Sequence, residues 1–256
     1  MKNRLQNIKN IIDFSLRNRF DISKRNYQVE NEPKENLFTG KEVQEREEEL
    51  VQKYNLTSYK NNSTISDYKQ NLYLLDILDK HLKTKEATSV KILDIGSKNW
   101  FYAPSEHSFF KKHFKNFSLT GIEIDPNRLY TNLYSRKEVA LFNIKGLINT
   151  KYLGDDFLNH EGFYDYIIWI LPFVSVTPHL NWGLPTSNFK PIEMLAHAYE
   201  SLKEKGQIFI INQGEKELKL QQELARQVSV NYKTIGKIES PFFEYENERF
   251  LTLVRK

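Results

Sequence analysis

The sequence contains no cysteine. This absence excludes a disulfide framework, a thiolate nucleophile and a cysteine-based zinc site. Long hydrophobic runs are also missing, because no window approaches the roughly eighteen apolar residues that a membrane-spanning helix needs, and charged residues interrupt the first turns of the chain. We therefore expect neither a spanning segment nor a secretory signal, and predict a cytoplasmic protein with no membrane partner.

Few histidines are available as metal ligands, and the six that occur lack close paired spacing. We therefore expect no metal site. Aromatic residues are plentiful, with seventeen phenylalanines and fourteen tyrosines among 39% hydrophobic and 27% charged residues. A chain of 256 residues with this composition can bury the core of one α/β domain and carry an appendage.

The net charge is only +4 and is concentrated near the start of the chain. Two acidic residues, Asp13 and Asp21, accompany seven basic ones there: Lys2, Arg4, Lys9, Arg17, Arg19, Lys24 and Arg25. Such a basic segment can touch phosphate, but a solvated helix face is the commoner explanation. No nucleic-acid-binding motif accompanies it, so a nucleic-acid partner is not favoured.

The sequence changes in character near residue 88. Before this point it is polar and its apolar residues recur at helical spacing. The predicted helices cover Leu5–Leu16, Lys41–Lys53 and a segment capped by Ser66-Asp67. We predict a helical N-terminal extension over residues 1–88, acting as a lid, and a second domain over residues 89–256.

Beyond residue 88, short apolar runs alternate with helical patterns, which is typical of βαβ units. The predicted strands are Val90–Ile95, Ser118–Ile124, a run around Tyr152, Tyr166–Ile170 and Gln207–Ile211. The predicted helices are Ser105–Lys115, Pro126–Glu138, Pro191–Lys203 and Glu215–Val228. The runs Val230–Ile238 and Phe250–Val254 predict a closing hairpin. The predicted fold class is α/β: a Rossmann-like, mostly parallel sheet with helices on both faces, a terminal antiparallel hairpin and a helical N-terminal extension.

Acidic residues stand at the ends of the first two predicted strands. Asp94 and Gly96 close the first strand, and Glu123 closes the second. Ligands of open α/β sheets bind at the carboxyl ends of the strands, so we expect both acids at a ligand-binding edge. A carboxylate at this edge can accept both hydroxyls of a ribose. Asp125, by contrast, is interpreted as the N-cap of a helix that starts at Pro126.

Leu93-Asp94-Ile95-Gly96 followed by Gly121-Ile122-Glu123-Ile124-Asp125-Pro126 resembles motifs I and II of class I methyltransferases that depend on S-adenosylmethionine (AdoMet). The resemblance extends to the C-terminus and implies AdoMet as the cofactor. It implies that Asp94 and Gly96 lie beside the methionine moiety, that Glu123 holds the ribose, and that Asp156 lies near the adenine amine. The cofactor-binding residues expected on this basis are Asp94, Gly96, Ser97, Lys98, Glu123, Ile124 and Asp156.

The loop after Gly96 departs from the pattern of the family it resembles. Members of that family carry further glycines here, whereas this chain has Lys98 and Trp100. Glycine allows close approach of backbone to ligand, which larger residues restrict. Either the loop takes a wider path and Lys98 pairs with the methionine carboxylate, or AdoMet binding is weakened or lost; we favour the first account.

The segment from Leu171 to Lys190 follows the fourth predicted strand and is expected to wall an acceptor pocket. The candidate substrate residues are Tyr102, Phe173, His179, Trp182 and Asn188. Methyl transfer from a sulfonium needs alignment and exclusion of water, and no residue is assigned as catalytic by the motifs. His179 is a candidate general base, although a loop histidine is more often a surface residue.

The sequence thus favours an AdoMet-dependent methyltransferase that acts on a small-molecule or protein acceptor by in-line displacement. The alternative is a non-catalytic Rossmann-like nucleotide-binding or protein-interaction module with a degraded cofactor loop. The identity of the acceptor and the oligomeric state stay open at this point.

Overall fold

The computed structural model describes residues 2–19 and 27–256. Three charged residues of the basic segment, Asp21, Lys24 and Arg25, lie outside the described residues. No helix in the described part of the chain combines the length and the apolarity that crossing a bilayer would require.

Seven strands form one sheet in the order β3-β2-β1-β4-β5-β7-β6. The strands are β1 Ser89–Ile95, β2 Asn116–Glu123, β3 Thr150–Gly154, β4 Tyr164–Ile170, β5 Leu202–Gln213, β6 Asn231–Ile238 and β7 Arg249–Arg255. The first five pair in parallel, and β7 runs antiparallel to both β5 and β6. The predicted α/β fold class, with its terminal antiparallel hairpin, is confirmed.

Nine α-helices are seen among the described residues, together with the 3₁₀ helices Phe157–Asn159 and Thr186–Asn188. The α-helices are α1 Lys2–Arg19, α2 Lys41–Tyr54, α3 Thr57–Asn61, α4 Ile65–His81, α5 Ala103–His113, α6 Arg136–Asn143, α7 Val176–Asn181, α8 Pro191–Glu200 and α9 Gly214–Gln227. The short helices α3 and α7 were not predicted, because neither is long enough to show an apolar period. The N-cap of α4 is Thr64, whose side chain accepts from the backbone N–H of Asp67, rather than the predicted Ser66-Asp67.

The predicted helix Pro126–Glu138 is wrong, and with it the assignment of Asp125 as an N-cap. Pro126 begins a turn region closed by an isolated bridge between Leu129 and Ser135. The helix starts only at Arg136, where Ser135 and Glu138 form a reciprocal capping box. A proline after an acidic residue resembled a helix start, but the capping box supplies the stronger signal.

Hydrophobic residues cover both faces of the sheet. On one face Val90 and Ile92 of β1 belong to a core that includes residues of α2, α4 and α5. On the other face Leu93 and Ile95 pack in a core with residues of α8 and α9. Since α2 and α4 precede residue 88 and α5 follows it, the first core continues across that position.

Helix α1 is confirmed, but its apolar residues do not face the core. Leu5, Ile8 and Ile12 are about half exposed, at 62%, 48% and 54% of their surface. Among the side chains of α1 that the structure describes, Asn10 is the buried one, and its amide donates to the carbonyls of Leu180 and Leu184 at 2.8 and 2.9 Å. α1 therefore docks through polar contacts, which an apolar pattern cannot reveal.

The loop after β1 adopts the backbone that glycines would take. Gly96, Lys98 and Trp100 have φ values of 70°, 58° and 43°, in the left-handed region that non-glycine residues rarely enter. The indole of Trp100 is buried against Gly121, where an added Cβ would lie 2.7 Å from the ring. Burial of this large side chain thus offsets the strain of the loop.

Trp100 also reaches a buried pair of carboxyl groups. Its Nε1 donates to Oε2 of Glu106 at 3.1 Å, and Glu106 is hydrogen-bonded to Asp94. Burial raises the pKa of Glu106 to about 7, and burial together with Glu106 raises the pKa of Asp94. Two buried carboxyl groups that both have raised pKa values favour a state in which one of them keeps its proton.

This pair predicts that the protein loses stability as the pH rises towards neutrality. A carboxyl group whose pKa is raised by folding contributes stability that is fully present below its unfolded pKa. This contribution is lost as the pH rises through the folded pKa of about 7. We expect the free energy of unfolding of the wild type to fall, relative to that of Glu106→Gln, by on the order of 2–3 kcal/mol between about pH 5 and pH 8.

Urea denaturation of both proteins at several pH values measures this difference. Glu200→Gln, a change at an exposed position on α8, serves as the control and should follow the wild type throughout. A constant difference between the wild type and Glu106→Gln across the range would contradict the proton retained by this pair.

Candidate functional site

A cavity of about 620 Å³ opens at the carboxyl ends of β1, β2, β4 and β5. Its walls come from the loops that follow these strands, from α4 and α9, and from the connection between β6 and β7. Small-molecule sites commonly occupy about 300–1,000 Å³ and lie at this edge of open α/β sheets. The cavity is therefore the candidate site.

All of the predicted site residues line this cavity. The predicted cofactor residues around it are Asp94, Gly96, Ser97, Lys98, Glu123, Ile124 and Asp156, and the predicted substrate residues are Tyr102, Phe173, His179, Trp182 and Asn188. Their binding roles stay predictions, but the fold brings both sets to one concave surface.

Glu123 ends β2 and is 5% exposed. Its Oε1 accepts from the backbone N–H of Asp125 and from Nη1 of Arg136, both at 2.9 Å. Its Oε2 accepts from the backbone N–H of Lys98 at 3.0 Å. A buried carboxylate needs such partners, and here they fix its orientation towards the cavity.

A cluster of cations surrounds the indole of Trp182. The Nζ of Lys98 lies 4.5 Å from the ring centroid, and Cζ of Arg136 and of Arg128 lie at 5.0 and 6.0 Å. Cations are attracted to the face of an indole. Trp182 thus joins the segment after α7 to the loop that carries Lys98.

Lys98 is the member of this cluster that lines the cavity. Burial, reinforced by the positive charge of Arg136, lowers the pKa of Lys98 to about 8, while Glu123 acts in the opposite direction. Its ammonium group forms no ion pair within 4.0 Å among the described residues. An anionic group in the cavity would stabilise its charged form.

Asp94, Asp156 and Ser97 have different environments. Asp94 is buried, and burial together with Glu106 raises its pKa. Asp156 caps a short 3₁₀ helix, since its Oδ1 accepts from the backbone N–H of Leu158 at 3.0 Å. The hydroxyl of Ser97 is buried and has no hydrogen-bond partner among the described residues. It is therefore the one of these three with an unused donor.

His179 lies in α7 and is only 2% exposed, so it is not the surface histidine that a loop position suggested. Its Nε2 lies 2.8 Å from the carbonyl of Pro185 and must donate to it. Nδ1 is then the nitrogen that can take a proton. Burial lowers the pKa of His179, which keeps the ring neutral at physiological pH.

Asp125 is fully buried and binds Arg17 of α1. Nε and Nη2 of Arg17 donate to its two carboxylate oxygens at 3.0 and 2.9 Å. This bidentate pair is a strong contact because it couples charge to geometry. It connects the first helix of the chain to the loop after β2, beside the cavity.

Several residues around the site were not found from the sequence. Arg136 lay within a wrongly placed helix, and no local pattern paired it with Glu123. The cavity is also lined by residues that the sequence did not predict: Gln70, Tyr73, Leu74, Gln221, Tyr245 and Arg249. Their spacing along the chain carries no signal, since only the strand order brings them together.

No family profile and no curated protein sequence matches the chain. A SAM-dependent methyltransferase from Aquifex aeolicus, SAM being AdoMet, is similar in structure, with a TM-score of 0.50 and 14% identity over 73% of this chain and 92% of the other. A ribosomal protein L11 methylase from Lactobacillus delbrueckii subsp. bulgaricus gives 0.48 and 12% over 77% and 86%.

At 14% identity such a likeness concerns the fold. The sheet order, the antiparallel β7 and the helices on both faces agree with it. The chain therefore has the Rossmann-like fold of class I AdoMet-dependent methyltransferases.

Proposed function

We propose that the protein is an AdoMet-dependent methyltransferase that moves a methyl group to a small-molecule or protein acceptor by in-line displacement. The observation that carries this proposal is the position of Glu123. A buried carboxylate ends β2, faces a cavity of about 620 Å³ and is held beside the loop after β1. At this position a carboxylate could accept hydrogen bonds from the hydroxyls of a ribose.

The residues present suit AdoMet. Oε2 of Glu123 accepts one backbone hydrogen bond only, so it has capacity left for a ribose hydroxyl. The hydroxyl of Ser97, unpartnered among the described residues, and the ammonium of Lys98 are proposed to bind the amino-acid moiety. Asp156 is proposed beside the adenine, with its free Oδ2 as the acceptor.

When bound, AdoMet supplies a methyl group already activated on sulfonium. The chain then has to orient the acceptor and exclude water. Phe173 and Trp182 form an apolar wall for this purpose. His179, with Nε2 committed to Pro185, is proposed to take the acceptor's proton on Nδ1 where the acceptor must lose one.

Residues 1–88 are proposed to cover the cavity as a lid and to contribute to acceptor specificity. Gln70, Tyr73 and Leu74 of α4 line the cavity directly. Helix α1 stabilises one wall of the cavity, because Asn10 donates to the carbonyls of Leu180 in α7 and of Leu184 just after it. The division of the chain into an extension over residues 1–88 and a domain over residues 89–256 stays a prediction.

Glu123→Gln should weaken binding of S-adenosylhomocysteine, the demethylated product, by at least about tenfold. A hydrogen bond to a charged acceptor contributes about 1.5–3 kcal/mol, and the substitution removes the charge while keeping the shape. Isothermal titration calorimetry measures the affinity without knowledge of the acceptor, with NAD as a ligand that should not bind.

Because Glu123 also neutralises Arg136, thermal melting must show that the variant is folded. Glu193→Gln, an exposed change on α8, should leave the affinity unaltered. Equal affinity of Glu123→Gln and the wild type would remove Glu123 from the ribose site. If neither AdoMet nor its product binds the wild type, the non-catalytic module becomes the preferred function.

Lys98→Met should weaken binding of S-adenosylhomocysteine at least tenfold and leave 5′-methylthioadenosine within about twofold. Only the first ligand carries the carboxylate that Lys98 is proposed to hold, and a charge-assisted bond contributes about 1.5–3 kcal/mol. Affinity of the wild type for S-adenosylhomocysteine should also fall as the pH rises through about 8, where Lys98 loses its proton.

Titrations of both ligands against Lys98→Met and against Lys145→Met, an exposed control, separate charge loss at the site from general effects. A parallel loss of affinity for the two ligands would instead place Lys98 at the ribose.

A further inference from the structure

The cavity extends beyond the proposed cofactor residues into a pocket with aromatic walls. These walls belong to α4, to the loop after β1 and to the connection between β6 and β7. The aromatic residues there are Tyr73, Phe101, Tyr102 and Tyr245. Tyr73 and Tyr245 meet edge to face at 5.0 Å, and the hydroxyls of Tyr102 and Tyr245 are hydrogen-bonded. Such walls suit a flat apolar body.

Arg249 supplies the positive charge of this pocket. It is the first residue of β7 and lines the cavity, with Cζ 4.4 Å from the ring centroid of Tyr245. Its Nη1 donates to the carbonyl of Asn247 at 3.1 Å. Within the described residues no carboxylate pairs with this guanidinium inside 4.0 Å.

The acidic residue on the same part of the wall, Glu217, makes its hydrogen bond to the backbone and not to Arg249. Its Oε2 accepts from the backbone N–H of Gln213 at 3.0 Å, at the start of α9. Burial raises the pKa of Glu217, while the backbone of Gln213 and the positive charge of Arg249 act in the opposite direction. Glu217 therefore compensates the positive charge of Arg249 only in part, because the two form no ion pair within 4.0 Å in the part of the chain that the structure describes.

A buried hydroxyl on the same wall as Arg249 also lacks a partner, and both residues contact the ring of Tyr245, Tyr73 at 5.0 Å between ring centroids and Arg249 at 4.4 Å from Cζ. The hydroxyl of Tyr73, a residue only 4% exposed, makes no hydrogen bond among the described residues. Arg249 lies near enough to Tyr73 to act on its ionisation. A buried donor without a partner is costly unless an acceptor binds there, and the guanidinium that shares this wall has no carboxylate partner within 4.0 Å among the described residues. A carboxylate satisfies both groups at once.

We propose that the acceptor is a small aromatic carboxylate, bound through its carboxylate to Arg249 and Tyr73 with its ring against Tyr102 and Tyr245. This inference rests on the proposed function, because it names the substrate class of the same site. Along the sheet, β7 is separated from β1 by β4 and β5. The carboxylate would thus bind at the end of the acceptor that lies farthest from the loop after β1.

Matched pairs of probes test this anchor without knowledge of the natural acceptor. Benzoate with benzamide, and phenylacetate with phenylacetamide, are titrated by protein-observed NMR into the protein with and without S-adenosylhomocysteine. Each carboxylate should bind at least tenfold more tightly than its amide. Arg249→Gln should abolish that preference, and Tyr73→Phe should reduce it several-fold. Arg255→Gln, exposed at the other end of β7, should retain it.

The binding of S-adenosylhomocysteine, measured first, keeps the two proposals apart. If it binds but carboxylates and amides bind equally or not at all, the acceptor class is overturned and the methyltransferase proposal stands. If it fails to bind but the Arg249-dependent preference persists, the carboxylate site stands and the methyltransferase proposal falls. Loss of the preference in Arg255→Gln as well would also overturn the assignment to Arg249.

Discussion

The buried carboxylate of Glu123 is the interaction on which the rest of the site depends. Moving a charge out of water is costly, so it must be surrounded by donors. Those donors come from the loop after β1, from the turn after β2 and from α6. One side chain thereby fixes three segments that are distant in sequence. The same requirement brings Arg136 to within 5.0 Å of the ring centroid of Trp182, a residue that lines the cavity.

The loop after β1 shows how larger residues can replace glycines. Lys98 and Trp100 accept left-handed backbone conformations, which carry a conformational cost. In return, the backbone N–H of Lys98 reaches Glu123, and the indole of Trp100 fills the space above Gly121. Burial of an indole and a charged hydrogen bond are large enough to offset that cost. The loop therefore adopts left-handed conformations without glycine at these two positions, and Lys98 adds a positive charge to it.

The sequence predicted the strands and the site acids because these features are local. Apolar runs and terminal acids place Asp94 and Glu123 at one sheet edge whatever the details of packing. It failed where distant contacts decide the outcome. Arg136 and Arg249 reach the site only through the fold, and α1 docks by hydrogen bonds that leave its apolar stripe outside. The prediction of a helix start at Pro126 was wrong, because the capping box at Ser135 and Glu138 begins the helix ten residues later, at Arg136.

The docking of α1 has a consequence for the order of assembly. Asn10 bonds to the carbonyl of Leu180, 170 residues further along the chain. During synthesis α1 emerges long before its partner segment. Until that segment is made, the polar side chains of α1 can hydrogen-bond only to water or to other parts of the chain. Contacts of such high sequence separation form late, after the loop-closing entropy has been met by other elements. The wall of the cavity formed by α7 is therefore expected to be among the last parts of the molecule to become rigid.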